Sequence, residues 1–212
     1  MLDLVYFSAY ESKIGFRFNL EALNGLEGES GKLFQVMSSI VPPASPYHER
    51  NKSMFAAFPF SYIDWESKVD HLQFMEDDVV MNNISLWKSS AIIFDLSCYD
   101  LSTKKMERYG FSVYPLIKQF QNRNYFASGV HILPVYKGIV PRKLTEILAR
   151  NTNVEPNALL QKMREDKEIE YAEQAFIVVK AVDSQRHAHF LRGLNELIPS
   201  SRFLNAEEKL RF

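Results

Sequence analysis

Cysteine and net charge are scarce in this sequence, and long apolar runs are missing from it. The 212 residues include one cysteine, Cys98, so an internal disulfide cannot form and a reducing compartment is expected. The formal net charge of −1 at pH 7 lacks the basic surplus that is typical of nucleic-acid-binding domains. No apolar run approaches the roughly 20 residues that span a bilayer, and Met1–Leu4 does not begin a signal peptide. A soluble, cytoplasmic protein that does not bind nucleic acid is therefore predicted.

The sequence motifs of common catalytic centres are also missing. There is no G-x-S-x-G nucleophile elbow, no G-x-x-x-x-G-K-[ST] phosphate loop and no H-E-x-x-H zinc motif. Cys98 lies within an apolar run, as a buried structural thiol does, whereas reactive thiols occupy exposed and electropositive sites. We therefore predict no catalytic residue and no enzyme activity. An enzyme of a type without a local signature is the alternative.

Histidines offer one candidate metal site, the segment His187–His189. On a helix, residues i and i+2 point about 200° apart and cannot share an ion. On a strand the two histidines would share a face, but no third ligand lies nearby in the sequence. His48, His71 and His131 stand alone. The sequence therefore predicts neither a metal nor a cofactor.

Apolar and aromatic residues are abundant, and they alternate with polar residues. Hydrophobic residues make up 46% of the chain, which is enough for a sizeable core. Period-two alternation is typical of half-buried strands, and in Ile14–Leu20 it directs Ile14, Phe16, Phe18 and Leu20 towards a core. Further strands are predicted at Leu33–Val41, Met54–Tyr62, Val69–Met75, Ser90–Tyr99, Gly110–Ile117, Gly129–Tyr136 and Phe176–Val179. Ala44–Lys52 and Asp100–Arg108 are predicted to be loops.

Helical signals begin at Pro141, because proline is favoured at the start of a helix. A second helix is predicted to begin near Pro156, with Leu159, Leu160 and Met163 on one face. Beyond the last strand, His187–Leu197 and the segment from Asn205 to the end also have helical patterns.

This order of elements predicts a mostly β fold, an antiparallel β-sandwich with helices inserted before its last strand. The sandwich would span residues 1–185, its helical insertion about 141–170, and a C-terminal helical extension 186–212. Two domains divided near residue 140 are the alternative.

One stretch of the sequence is familiar. Tyr99-Asp100-Leu101-Ser102, then Tyr109-Gly110-Phe111 and Pro115-Leu116, resembles the part of a C2 domain in which a central strand enters the third top loop. Ile14–Leu20 with the turn at Asn24–Leu26 resembles the opening strand of that family, and Phe176–Val182 its closing strand. The form of the second motif is more similar to the divergent C2 and B9-type domains of ciliary and centrosomal proteins. An unrelated β-sandwich is the alternative.

The resemblance implies a C2-like scaffold, but one without calcium. Calcium takes six to eight oxygen ligands, mostly from carboxylates. Asp100 is present, whereas Ser102 stands where these domains have a second aspartate, and Lys104 and Lys105 add positive charge. The other contributing loop, Gly28–Lys32, contains no aspartate. We therefore predict a calcium-independent domain.

Two functions follow as hypotheses. The first is a non-catalytic scaffold that binds other proteins of a larger assembly in a cilium, basal body or cytoskeleton, as the resemblance implies. The second is a peripheral membrane module, in which Lys104, Lys105, Arg108 and Tyr109 form a basic loop that binds anionic lipids. These four residues are the candidate partner-binding or lipid-binding site. A charged loop that is simply solvated is the alternative for them.

Overall fold

The strands that the structure describes form one antiparallel sheet that curls into a half-barrel, so the fold is mostly β as predicted. A computed structural model of the chain describes residues 6–26, 32–42, 71–74, 78–81, 84–120 and 123–183. The described strands are β1 (Tyr6–Ala9), β2 (Phe16–Asn24), β3 (Lys32–Val41), β4 (His71–Gln73), β5 (Val79–Met81), β6 (Ala91–Asp100), β7 (Lys105–Pro115), β8 (Ile117–Phe120), β9 (Arg123–Lys137) and β10 (Tyr171–Asp183).

The order of strands in the sheet is β3-β6-β7-β9-β10-β2-β4, so the last strand of the sequence lies between β9 and β2. β1 and β8 pair with the first half of β9, while β10 and β7 pair with its second half. Gly129, with φ 143°, lies where β9 changes partners. A φ in that range is open mainly to glycine, so this residue permits one long strand to serve both parts of the curled sheet.

Two apolar clusters lie on opposite faces of the sheet. The inner cluster contains the alternate residues of β2 that the sequence predicted, Phe16, Phe18 and Leu20. It also contains Cys98, which is buried and packs in the core as expected for a structural thiol. Ile14 is wrongly assigned to this strand, because it lies in the turn that precedes Phe16.

The outer cluster is built by two helices that follow β9, α1 (Arg142–Arg150) and α2 (Pro156–Glu165). Both begin at a proline signal: Pro141 caps α1, and Pro156 occupies the first turn of α2. Leu144 and Leu148 of α1, together with Leu160 and Met163 of α2, cover the outward-facing residues at one end of the central strands. The opposite end of that face, near the β6–β7 turn, has no helix among the described residues.

Several sequence expectations need correction at the ends of strands. Asp100–Arg108 is not a loop: the turn is short, and β7 already begins at Lys105. Val69–Met75 shrinks to the three residues of β4 among the described positions. The short strands β1 and β5 have no counterpart in the sequence prediction. The predicted segments Ala44–Lys52, Met54–Tyr62, His187–Leu197 and the one from Asn205, as well as the extension 186–212, lie outside the described residues.

Candidate functional site at the end of the β6–β7 hairpin

The turn between β6 and β7 is held together by its own aspartate. The Asp100 carboxylate oxygen Oδ1 accepts hydrogen bonds from the Ser102 hydroxyl at 2.6 Å, the Ser102 backbone N–H at 2.7 Å and the Thr103 N–H at 3.2 Å. Chiefly the Ser102 hydroxyl, and then the backbone donors, lower the pKa of Asp100 to about 2. Lys104 closes the turn with φ 55° and donates its N–H to the Asp100 carbonyl at 2.8 Å.

This arrangement uses the aspartate as a turn residue rather than as an open cation ligand. One of its carboxylate oxygens already accepts three hydrogen bonds, and Ser102 is a donor to it instead of a second acidic ligand. Among the described residues, no three His, Cys, Asp or Glu side chains gather as a metal-binding group. Residues 27–31, which include most of the second predicted loop, lie outside the described part of the chain.

The four residues of the predicted basic loop do not form one surface. Lys104 lies in the turn, whereas Lys105, Arg108 and Tyr109 belong to β7. The Arg108 guanidinium Nη1 binds Asp95 Oδ2 at 2.8 Å and Ser97 Oγ at 3.1 Å on the outer face.

Tyr109 points the other way, because its ring meets Phe34 of the inner core edge-on with the centroids 5.1 Å apart. Adjacent residues of a strand point to opposite faces, so Tyr109 faces inward although Arg108 faces outward. A register shift between Leu96 and Ser97 leaves Tyr109 as the extra residue of a bulge. The prediction of a single basic loop is therefore wrong. Lys104 and Lys105 are the two exposed cations that remain, and neither forms an ion pair within the described chain.

Exposed apolar side chains lie at the same end of the hairpin as the two lysines. Tyr99 pairs directly with Leu33 of β3 on one side and with Met106 of β7 on the other. Directly paired residues place their side chains on the same face, about 5 Å apart at Cβ. Leu33 is 40% exposed and Met106 57%, and Leu101 in the turn is 52% exposed. We call Leu33, Tyr99, Leu101 and Met106 the tip patch.

The next rung of the sheet forms a polar border to the tip patch. It contains Gln35, Ser97 and Arg108, and Arg108 reaches Asp95 beyond it. Partial burial raises the pKa of Asp95, and the Arg108 guanidinium offsets part of this effect. An apolar centre with a polar border is the arrangement that protein interfaces share.

Sequence reasoning selected the lysines and missed the apolar residues beside them. The signal that was available is an apolar residue within a charged segment: Leu101 stands next to Asp100, and Met106 lies between Lys105 and Glu107. Such residues contribute nothing to a core when the hairpin end is solvated on both faces. Their exposure is therefore evidence of a contact surface.

His131 of β9 forms hydrogen bonds in the core. Its Nε2 lies 3.2 Å from the Tyr114 hydroxyl, and the Tyr114 hydroxyl donates to the Ala127 carbonyl at 2.9 Å. Burial lowers the pKa of His131, although the nearby Ala127 carbonyl opposes the shift. The ring is thus a structural hydrogen-bonding group, and among the described residues it belongs to no group of three possible metal ligands.

Comparison with known proteins gives no name to this arrangement. No protein-family model matches the chain, and no curated protein sequence matches it significantly. Within the described part of the chain, neither helix has the length and apolar character needed to cross a membrane.

Proposed function

We propose that this chain is a non-catalytic, calcium-independent, C2-like module that binds another protein through the tip patch. The observation that carries the proposal is the row of paired residues Leu33, Tyr99 and Met106, with Leu101 in the adjoining turn. Exposed apolar side chains that are grouped together mark interaction sites more often than scattered ones do. The two helices cover the outer face at its other end, so the exposure at this end is not a general property of the face.

The wider setting of the proposal comes from the sequence. The C2-like sandwich is proposed for residues 1–185, with 186–212 as an extension. A cytoplasmic place is supported by the single cysteine, Cys98, which is a free thiol in the core. A ciliary, basal-body or cytoskeletal assembly is supported by the resemblance of the Tyr99–Leu116 motifs alone.

A calcium titration tests the calcium-independent part of the proposal. Millimolar calcium should leave the midpoint of thermal unfolding unchanged, because a ligand that binds only the folded state must raise that midpoint. Magnesium is the control cation. In Asp100→Asn, as in the wild type, calcium should leave the midpoint of thermal unfolding unchanged. A rise of several degrees with calcium, absent with magnesium and lost in Asp100→Asn, would contradict the assignment of Asp100 as a turn residue.

A peripheral membrane contact is the second candidate function, and a specific observation favours it. Lys104 and Lys105 are exposed at the same hairpin end as Leu101 and Met106, so this end presents both charged and apolar side chains to a lipid surface. The electrostatic contribution, however, is about 1 kcal/mol for each cation near an anionic surface. Because Arg108 is engaged by Asp95, two cations remain instead of three. The protein-binding function is therefore better supported.

The two functions separate in one experiment with paired variants. Leu101→Gln with Met106→Gln removes the apolar centre, and Lys104→Gln with Lys105→Gln removes the charge. Val80→Gln with Ile139→Gln is the matched control, because both residues are highly exposed and lie outside the tip patch. Each tagged protein is used for quantitative affinity purification from its source cell and for sedimentation with vesicles containing phosphatidylserine.

We expect a reproducible set of co-purifying proteins that the apolar variant loses and the control variant retains. We also expect no vesicle binding at about 0.15 M salt, where charges are screened beyond about 8 Å. The proposal would be overturned in favour of the membrane function by two results together. The wild type would bind vesicles at that salt and both tip variants would not, while neither variant would lose a co-purifying protein.

A further inference from the structure

A second surface with recognisable chemistry lies on the other side of the helical cluster. An open cleft of about 490 Å³ separates α2 from strands β9 and β10, which is a volume typical of ligand sites. The helix contributes amide and guanidinium groups, and the strands contribute ring faces. The lining includes Pro134, Tyr136, Asn157, Gln161, Arg164 and Tyr171.

Arg164 is fixed in this cleft as the outermost layer of an aromatic stack. Buried Phe111 stacks on Tyr136 with the ring centroids 5.2 Å apart, and Tyr136 stacks on Tyr171 at 5.1 Å. The Arg164 guanidinium carbon lies 4.0 Å from the Tyr171 ring centroid, and its Nη1 donates to the Tyr171 hydroxyl at 2.7 Å. A guanidinium held in place by stacking loses little freedom when it binds a ligand.

The held guanidinium keeps most of its capacity for an anion. Arginine has five N–H donors, and the contact with Tyr171 uses one of its nitrogens. Arg164 forms no ion pair with any carboxylate of the described chain. Glu165 also lines the cleft, but one of its carboxylate oxygens is engaged by Gln161, whose Nε2 donates to Glu165 Oε1 at 2.9 Å. A carboxylate is an anionic group whose geometry the guanidinium fork matches with two parallel hydrogen bonds.

An exposed apolar strip continues from the cleft along the outer face of β9 and β10. Pro134 pairs with Phe176, and one rung further Ile132 pairs with Val178. Phe176 and Val178 are half-buried, Pro134 is exposed, and Ile132 is 69% exposed. We call these four residues the apolar strip. A ligand that reaches from the cleft along the strip would meet a cation first and then apolar side chains.

We propose that the cleft and the apolar strip together bind an extended acidic–apolar segment of a partner protein, with its carboxylate on Arg164 and its apolar side chains on the strip. The charge of Arg164 selects this occupant. A proline-rich segment would need open aromatic faces, whereas the two faces of Tyr171 are covered by Tyr136 and Arg164. The inference rests on the proposed function, since it treats the domain as a protein-binding module, but it uses none of the tip-patch residues.

Selection from a random peptide pool tests this proposal without a known partner. The full chain is immobilised, dodecapeptides displayed on phage are selected against it, and enriched peptides are synthesised for Kd measurement by fluorescence polarisation. The enriched peptides should carry Asp or Glu next to apolar residues. Arg164→Gln should weaken their binding about tenfold or more, since it removes a charge-assisted pair. Arg164→Lys should also weaken it, because lysine lacks the planar fork.

Matched controls exist for both parts of the site. Arg150→Gln removes an exposed arginine from the last turn of α1, outside the cleft, and Ile139→Ser changes a residue that is 71% exposed, outside the strip. Both should leave Kd within about twofold, as surface changes usually do, whereas Ile132→Ser should weaken binding. Thermal unfolding verifies that each variant is folded. If Arg164→Gln does not fold, the effect of Ile132→Ser on Kd tests the proposal.

Three outcomes would overturn the inference: no enriched peptide, enriched peptides without a carboxylate, or equal binding by the wild type, Arg164→Gln and Ile132→Ser. The variant Leu101→Gln with Met106→Gln should bind the selected peptides normally. If that variant loses its cellular partners but binds the peptides normally, the tip patch and the cleft are separate binding sites, and each proposal is tested by itself.

Discussion

Replacing Phe94 or Phe16 with alanine should lower the free energy of unfolding by about 3–5 kcal/mol each, the range for large aromatics removed from a core. Both side chains are fully buried in the inner cluster. Phe94 meets Phe18 edge-on at 6.2 Å, and Phe16 lies 5.0 Å from Phe126, so each variant also loses aromatic contacts. Urea denaturation of the purified chain measures both values.

Arg17→Ala is the matched control for this prediction, because Arg17 neighbours Phe16 on the same strand but faces the opposite side. It forms a partly exposed ion pair with Asp78 at 3.1 Å, and such pairs contribute about 0–1 kcal/mol. If Arg17→Ala and Phe16→Ala destabilised the chain equally, the assignment of inner and outer faces of β2 would be wrong.

The interior of the sheet could be predicted from the sequence because burial imposes a period there. The alternation in β2 and the apolar run of β6 reflect residues that face a core, on one face for β2 and on both faces for much of β6. Proline gave the start of both described helices, because it is favoured where a helix begins. These are positions at which local preference and tertiary packing agree.

The hairpin end could not be predicted in this way. Lys105–Arg108 is charged because both faces of β7 are solvated there, yet the residues are extended because β6 pairs with them. The short strand β1 was missed for a related reason. Its Ser8 is a polar residue at a buried position, and the hydroxyl donates to the buried carboxylate of Asp183. Hydrogen bonding across the sheet, not apolar alternation, accounts for that position.

The sequence selected the same hairpin as the candidate site, through the Tyr99–Leu116 motifs, but it did not predict the hydrogen bonds there. Ser102 was interpreted as the loss of an acidic ligand, and only the structure shows its hydroxyl donating to Asp100. The bulge at Tyr109 could not be predicted either, and because of it Phe111 faces the outer cluster, opposite to what simple alternation from Arg108 predicts.

The glycine of the Tyr109-Gly110-Phe111 motif should prove indispensable for stability. A Cβ at Gly110 would lie 2.3 Å from the Tyr136 carbonyl oxygen and 2.8 Å from Val135 Cγ1, so β7 and β9 could not keep their separation. Gly110→Ala should therefore lower the free energy of unfolding by about 3 kcal/mol, the upper end of ordinary overpacking costs, because the clash is with backbone that cannot rotate away.

Gly138→Ala tests whether this effect is steric. No atom lies within 4 Å of a Cβ placed there, although its φ of 82° is unfavourable for alanine. We therefore expect about 1 kcal/mol from backbone conformation alone. Both variants are measured by urea denaturation with the slope compared to the wild type, since an altered slope would indicate a changed unfolded or native state.

Because Gly110 pairs with Lys137 and Phe111 with Tyr136, Gly110→Ala should also disturb the aromatic stack below Arg164 and weaken binding of the selected acidic peptides. Equal destabilisation by the two alanines would show that close approach of β7 and β9 is not the reason for glycine in the motif.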